Sequence, residues 1–211
     1  RQEYCQRERW FGALYASPQA RLADADDLLA SLDRAGIGAA VAFGFAFADP
    51  GLCRLGNDYV LQAASEHPSR IVPFAQVCPA GGHLAVDEAR RCLEAGARGL
   101  GELMPDGQGF ALDEATALDG LMALARAYDV PVLFHVNERV GHLYAGKGAS
   151  GPEAAYRLAI GYPENRLILA HWGGGLPFYE LMKEMNARLS NVFYDTAPAS
   201  RPLRQDACEI T

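Results

Sequence analysis

Two histidines, His135 and His171, are the residues whose type and position in the sequence point most clearly to chemistry. His135 ends the apolar run 130–135, and His171 ends the apolar run 166–171. Runs of this length and composition predict buried parallel strands, and enzymes built on such strands place functional side chains at the carboxyl ends. Two imidazoles at the same level of neighbouring strands therefore predict a metal site.

Glu102 is the predicted third ligand. It ends the strand-like run 97–102 and would lie at the same sheet edge as His135 and His171. Two imidazoles and one carboxylate form a known catalytic set for zinc, which lowers the pKa of bound water to about 7. Zinc is therefore the expected cofactor, with Glu102 as a ligand or a nearby catalytic acid or base. The alternatives are a Glu102 paired with an arginine and histidines bonded only to backbone.

Strand geometry predicts which side chains share a face with the three ligands. Side chains alternate between the two faces of a regular strand, so residues two apart lie together. The predicted sets are His135 with Leu133, His171 with Leu167 and Leu169, and Glu102 with Leu100.

Two further features lie at the same predicted edge. Asp195 ends the strand-like run 192–195 and is a candidate catalytic residue, orienting a ligand histidine or touching substrate; a helix cap is the alternative. Trp172 and three glycines follow His171 and open a predicted helix. Glycines there let backbone approach a ligand, and helix amides favour anions, so Trp172 is a predicted substrate contact. The alternative is a tight turn.

The segment 137–151 after His135 is long for a connection between a strand and a helix, which suggests function. It carries three candidate substrate-binding residues, Arg139, His142 and Lys147. A mobile lid that brings Arg139 or Lys147 to a substrate carboxylate is one interpretation, and a solvated surface loop is the other.

Composition narrows the partners. The chain has 211 residues, of which 50% are hydrophobic, and a formal net charge of -7 without a Lys/Arg cluster. Nucleic acid is not an expected partner, because phosphate binding needs concentrated positive charge; a small-molecule substrate is expected. No apolar stretch approaches the roughly 20 residues of a membrane helix. Five scattered cysteines indicate reduced thiols in the cytoplasm. The sequence leaves a homo-oligomer open.

Strand-like and helical stretches alternate along the whole chain, which predicts a single α/β domain over residues 1–211. Strands recur every 25 to 35 residues or so, the length of one βα unit. A complete (β/α)8 TIM barrel takes about 250 residues, so we expect an incomplete barrel with strands 2 to 7 present and the first and last missing. A smaller open sheet is the alternative. The predicted strands are 39–45, 71–77, 97–103, 130–136, 167–172 and 192–196.

Three helix predictions are specific enough to check. Asp24 is the expected cap of a helix that stops at Gly36. Ser150 and Glu153 have the spacing of a capping box. A further helix would bury one apolar face made of Phe178, Leu181, Met182, Met185 and Leu189.

These motifs resemble the amidohydrolase-related family, metal-dependent TIM-barrel hydrolases that include decarboxylases of the aminocarboxymuconate-semialdehyde type. The similarity extends from about Ala23 to Ala197 and rests mainly on segments 99–102, 130–135, 167–175 and 191–196. It implies that His135 and His171 approach the metal, and it suggests Glu102 as a ligand.

The family's first strand carries an H-x-H motif and its eighth a G-[ST]-D motif; neither is present in this chain. We therefore expect an incomplete record of the enzyme, or a piece that is poorly active alone.

Three functions follow as hypotheses. The first is a metal-dependent hydrolase that acts on a small carbonyl- or carboxylate-bearing substrate through activated water, with a non-oxidative decarboxylase as its alternative. The second is a metal-free barrel that binds a phosphorylated ligand through Gly173 to Gly175 and Lys147. The third is a non-enzymatic remnant whose strand edges pair with another chain.

Overall fold

Six parallel strands form one sheet whose order in space is their order in the chain, β1 to β6. The computed structural model describes residues 1–15 and 17–197. Sequential parallel order with helical crossovers is the arrangement of a TIM barrel, here as a curled arc of six consecutive strands, so the predicted α/β barrel arrangement is confirmed. The strands are β1 Ala40–Ala42, β2 Ile71–Ala75, β3 Gly99–Leu103, β4 Val132–Phe134, β5 Leu167–Leu169 and β6 Val192–Tyr194.

Three helices precede the sheet, and the others lie between successive strands. None of the helices in the described part of the chain is long and apolar enough to cross a membrane. The helices are α1 Gln2–Arg7, α2 Arg9–Tyr15, α3 Ala25–Ala35, α4 Pro50–Glu66, α5 His83–Glu94, α6 Pro105–Gln108, α7 Ala115–Ala127, α8 Pro152–Gly161, α9 Ala170–Gly173 and α10 Lys183–Arg188, with 3-10 turns at Pro79–Gly81 and Leu176–Leu181.

The two faces of the sheet pack differently. The main core lies between the strands and α5, α7 and α8, where Leu100, Phe134 and Leu169 are fully buried. Each such side chain contributes about 2 kcal/mol by leaving water. The opposite, inner face carries Leu133 and Ala170 within a smaller apolar cluster. Any residue that builds a site in the barrel interior must therefore point to the side of Leu133.

One predicted helix boundary is confirmed and one is wrong. Asp24 caps α3 by accepting the Asp27 backbone N–H at 2.9 Å, and the helix ends at Gly36 in the left-handed conformation. Ser150, in contrast, forms no capping box, because α8 begins after Gly151 without a side-chain cap. The Ser150 backbone bonds to the neighbouring loop, and the carboxylate of Glu153 pairs with Arg139 at 3.0 Å.

The predicted apolar helix after the glycines is also wrong. The chain forms a 3-10 turn, Leu176–Leu181, and then the six-residue helix α10. Phe178 and Leu181 are 75% and 87% exposed, whereas Leu189 is buried in the main core. A stripe that requires one continuous helix cannot form when the segment breaks at Met182, which has an extended backbone.

The segment before the sheet packs over the end of β1. Phe11 of α2 is buried against Phe47 and Cys53, and its ring lies 5.0 Å from that of Phe45. Glu8 is also buried and accepts the backbone N–H groups of Ala48 and Asp49. These contacts hold α1 and α2 beside the carboxyl ends of the strands, where the sequence places the candidate site.

Candidate metal centre

The structure brings the three predicted ligands together at the carboxyl ends of neighbouring strands. The Oε1 atom of Glu102 lies 2.7 Å from His135 Nδ1 and 3.6 Å from His171 Nε2. The two imidazoles approach to 3.1 Å between His135 Nδ1 and His171 Nε2. One donor atom from each residue lies within 4.8 Å of the others. Single donors converging from three rigid elements are what a divalent ion requires.

His135 reaches this point by regular alternation. It follows β4, whose Leu133 lies on the inner face, and the two side chains share that face as predicted.

Glu102 reaches the inner face by a different route from the one the pattern predicted. Leu100 lies in the core beneath the helices, so regular alternation would turn Glu102 to the same side. The register between β3 and β4 shifts between Leu100 and Leu103, and Gly101 has a φ of 108°. An irregularity of this kind re-aims side chains. The predicted pairing of Glu102 with Leu100 is therefore wrong, although Glu102 lies at the predicted place.

His171 is re-aimed in a similar way. Leu167 and Leu169 pack on the helix side, so the prediction that His171 shares their face is wrong. The backbone turns left-handed at His171 (φ 57°) and Trp172 (φ 57°), which ends the alternation and turns the imidazole to the inner face. A positive φ is uncommon outside glycine, so this turn could not be read from the sequence.

Electrostatics favour an ionised carboxylate at the centre. Burial would raise the pKa of Glu102, but hydrogen bonds with His135 and His171 and their charges lower it to about 2. Burial likewise would lower the pKa of His171, yet the bonds to the Glu102 carboxylate and to the Ala197 carbonyl raise it to about 8. At neutral pH and without an ion, the site therefore holds an ionised Glu102 beside a protonated His171, and a binding cation would have to displace that proton.

Two groups after β6 fix the position of His171. Its Nδ1 lies 2.9 Å from the Ala197 carbonyl oxygen, which accepts the ring N–H and directs Nε2 toward Glu102. The carboxylate of Asp195 accepts the backbone N–H groups of His171, at 2.9 Å, and of Ala197, at 3.1 Å. The Asp195 side chain thus contacts the backbone of His171 and not the imidazole ring of His171.

A cavity of about 550 Å³ opens over the three ligands. Part of its wall is aromatic: the ring of Phe11 lies 4.9 Å from that of Tyr15 and 5.0 Å from that of Phe45. Burial and the charge of Glu102 raise the pKa of Tyr15. The wall residues include Phe11, Leu14, Tyr15, Arg21, Phe43, Phe45, Gln76, Met104, Tyr144 and Gly146.

The four predicted substrate-binding side chains lie around this cavity and do not line it. Lys147 pairs with Glu138 at 3.0 Å, and its side chain is only 9% exposed. Arg139 bonds to Glu153, and Trp172 is 53% exposed. His142 lies in the same exposed loop and offers its carbonyl oxygen to Lys147. Their role in substrate binding stays a prediction.

The glycines after Trp172 are explained by close packing. A Cβ on Gly174 would lie 2.4 Å from the Asn137 carbonyl oxygen, and one on Gly173 would lie 2.8 Å from the Tyr194 ring. This is the tight turn that the sequence left open as the alternative to a ligand-binding loop.

Three polar side chains are among the cavity-wall residues that sequence reasoning missed. Gln76, directly after β2, and Tyr15 and Arg21, before the sheet, carried no motif. Gln76 is detectable in principle, because it is a polar residue at the end of a predicted strand. Tyr15 and Arg21 gave no comparable signal, because their place depends on long-range packing.

A divalent ion is the group that fits these residues. One carboxylate oxygen and two imidazole nitrogens are a common donor set for zinc and for manganese-type ions. His171 also has the hydrogen-bonded second nitrogen that ligand histidines usually show. The side chains that would hold the ion are Glu102, His135 and His171.

Comparison with known proteins identifies the family of the chain. The amidohydrolase family model matches residues 6–209, so the chain belongs to the amidohydrolase family. No curated protein matches the chain closely enough to count as a relative.

Solved structures share the TIM-barrel fold at low identity. 5-Carboxyvanillate decarboxylase from Novosphingobium aromaticivorans, complexed with manganese and a nitrobenzoic acid, is 20% identical with a TM-score of 0.66; the match covers 88% of this chain and 64% of that one. 2,6-Dihydroxybenzoate decarboxylase is 22% identical with a TM-score of 0.61, covering 86% and 66%. 4-Oxalomesaconate hydratase from Rhodopseudomonas palustris is 16% identical with a TM-score of 0.59, covering 92% and 69%. The chain thus spans about two thirds of these proteins.

Proposed function

We propose that the protein is a metal-dependent, non-oxidative decarboxylase of a small aromatic carboxylate. The observation that carries the proposal is the convergence of Glu102, His135 and His171 within 4.8 Å at the base of an aromatic-walled cavity. The sequence placed hydrolysis first and decarboxylation second; several similar structures are decarboxylases, which favours the reverse order.

The proposed roles follow from position. The side chains that would hold the ion are those of Glu102, His135 and His171. Hydrogen bonds to Ala197 and Asp195 hold His171 in position. A bound divalent ion would supply a positive charge that stabilises negative charge developing on the substrate. In the overall reaction the bond from the ring to the carboxylate breaks, carbon dioxide leaves, and the ring carbon gains one proton.

The cavity wall supports an aromatic acid as substrate. The rings of Phe11, Tyr15 and Phe45 lie within 4.9 to 5.8 Å of one another and offer flat apolar surface in the same cavity as the ligands. Arg21 lines the same cavity and forms no hydrogen bond or ion pair with any described residue. Its guanidinium is suited to a second anionic group on the ring.

Zinc is the ion that the donor set predicted, and the manganese in the carboxyvanillate enzyme makes manganese a competing choice.

Cytoplasmic location is part of the same proposal; the four described cysteines, Cys5, Cys53, Cys78 and Cys92, are free thiols, as a reducing compartment would keep them.

The test combines metal content with product analysis. The protein is loaded with Mn²⁺ or Zn²⁺ and incubated in D₂O with 2,6-dihydroxybenzoate and 5-carboxyvanillate. We expect carbon dioxide and a ring product carrying one deuterium at the former carboxylate position. His135→Ala and His171→Ala should lower metal affinity by about 100-fold or more and abolish product.

His83→Ala is the matched control, because His83 is exposed at the start of α5 and lies outside the cavity. It should keep both metal content and product. Metal content unaffected by loss of both His135 and His171 would overturn the metal centre. Hydrolysis of amides or esters without any carbon dioxide release would return the function to the hydrolase alternative, and stabilisation by phosphate without metal would support the metal-free barrel.

A further inference from the structure

Two buried amide side chains lie behind Glu102. Gln76 follows β2 directly, and Asn57 lies in the middle of α4. Each is 1% exposed, so neither belongs to the solvated surface. Buried amides of this kind are normally hydrogen-bonded, and their partners indicate what they do.

Gln76 bonds directly to the backbone of the metal ligand. The pairing of β2 with β3 runs through Phe74 with Gly99 and Ala75 with Leu100. Beyond Leu100 the strand is irregular. There the side-chain Nε2 of Gln76 donates to the Glu102 carbonyl oxygen at 2.7 Å. The Gln76 side chain thus makes the hydrogen bond to β3 that the backbone of β2 would make if the two strands continued regularly.

Asn57 fixes Gln76 from the other side. Its Oδ1 accepts the Gln76 backbone N–H at 2.7 Å, and its Nδ2 donates to the Gln76 carbonyl oxygen at 2.8 Å. The same Nδ2 lies 2.9 Å from Glu88 Oε1, and Arg91 holds the Glu88 carboxylate at 2.6 and 2.8 Å. A continuous set of hydrogen bonds therefore runs from α5 through α4 and β2 to Glu102.

Gln76 also has an unused hydrogen-bonding atom. It is one of the cavity-wall residues, and its Oε1 is buried with no hydrogen-bond partner among the described residues. Buried Gln108, in contrast, has both ends paired: its Nε2 donates to the carbonyl oxygens of Phe47 and Val77, and its Oε1 accepts the Met104 N–H.

We propose that Gln76, held by Asn57, is a positioning residue that sets the place of Glu102 for metal binding. The inference rests on the proposed metal centre. It predicts that the amide of Gln76 acts on the metal only through Glu102, because the Gln76 side chain donates its hydrogen bond to the Glu102 backbone carbonyl.

The experiment compares two buried glutamines of similar exposure. Gln76→Met and Gln108→Met both remove an amide and keep a side chain of similar length; Gln108 is 2% exposed and lies outside the cavity wall. Mn²⁺ affinity is measured by titration calorimetry and by electron paramagnetic resonance, at a temperature where melting curves show each variant folded. Gln76→Met should bind Mn²⁺ roughly tenfold more weakly. Gln108→Met should match the original protein.

A double-mutant cycle separates positioning from a general loss of stability. In the Glu102→Gln background, Gln76→Met should cause no further loss of Mn²⁺ affinity, because the residue through which it acts is already changed. Unchanged affinity in Gln76→Met, an equal loss in Gln108→Met, or independent losses in the cycle would each overturn the proposal.

A measurement on the unmodified protein covers the case in which Gln76→Met does not fold. On Zn²⁺ addition, the side-chain amide resonances of Gln76 should shift while those of Gln108 stay in place; no shift at Gln76 would contradict the inference. Failure of the metal centre itself is distinguishable, since His135→Ala and His171→Ala would then leave metal binding unchanged in the same assay.

Discussion

The carboxylate of Asp195 accepts hydrogen bonds from two backbone N–H groups next to the candidate site. Its Oδ1 accepts the N–H of His171 and the N–H of Ala197, whose own carbonyl bonds to the His171 ring. The sequence left Asp195 with three candidate roles: orienting a histidine, touching substrate and capping a helix. The observed contacts require only an oxygen acceptor, and from them we infer that Asp195 orients His171.

Substitution of Asp195 tests this role. Asp195→Asn keeps an oxygen acceptor and should cost less than about 1 kcal/mol, whereas Asp195→Ala leaves two N–H groups unpaired and should cost about 2 kcal/mol. Urea unfolding measures the stability, and Mn²⁺ titration should show weaker binding only in the Ala variant. Complete loss of product in Asp195→Asn, with metal affinity intact, would instead indicate a direct catalytic role.

Strand alternation predicted the direction of one candidate ligand correctly and reached the other two for the wrong reason. His135 follows a regular strand, so its side chain lies with Leu133 as expected. Glu102 and His171 reach the same cavity through a register shift and a left-handed turn. Apolar spacing records how regular strands are buried; it does not record where the backbone departs from regularity.

At the scale of elements, the segment after β5 shows where periodicity fails. An apolar stripe at helical spacing predicted one buried face, but the chain breaks at Met182 into a 3-10 turn and a short helix. Strand positions were predicted more reliably, since buried parallel strands form near-continuous apolar runs. The observed strands of three to five residues lie within the longer predicted runs.

Two leucines of the same predicted stripe should respond oppositely to truncation. Leu189→Ala should destabilise the protein by about 3 kcal/mol, because Leu189 is 2% exposed in the main core. Leu181→Ala should stay within about 0.5 kcal/mol, since Leu181 is 87% exposed. Paired urea midpoints measure both. Equal destabilisation would mean that the stripe is buried as one helix after all.

At the scale of the whole molecule, burial controls the chemistry of the cysteines. Burial raises the pKa of Cys53 to about 12, and burial with the nearby charge of Glu88 raises that of Cys92 to about 12. A raised pKa keeps a thiol protonated, and the thiolate is the reactive form.

The native protein should therefore protect these thiols. At pH 8, iodoacetamide should leave Cys53 and Cys92 unmodified while the folded protein is intact, and label both once guanidinium unfolds it. Partly exposed Cys5 is the internal comparison and should react first. Peptide mass spectrometry measures each site. Labelling of Cys92 at the rate of Cys5 would show that the core around α5 opens readily.

The order of strands and the ligand edge were predictable because both follow from local pattern and from the geometry of parallel sheets. The aromatic wall was not, because Phe11 and Tyr15 precede the sheet and meet Phe45 only in the folded chain. No local sequence pattern predicts that these three rings pack together.

Much of the proposed substrate-binding wall and the proposed metal ligands therefore come from different parts of the sequence. Phe11, Tyr15 and Arg21 of the cavity wall come from one continuous stretch ahead of α3, Phe45 follows β1, and the side chains proposed to bind the cation come from β3 and from just after β4 and β5. Laboratory recombination confined to that leading stretch would therefore change three wall residues without changing the proposed metal ligands, which makes it the natural place to begin engineering.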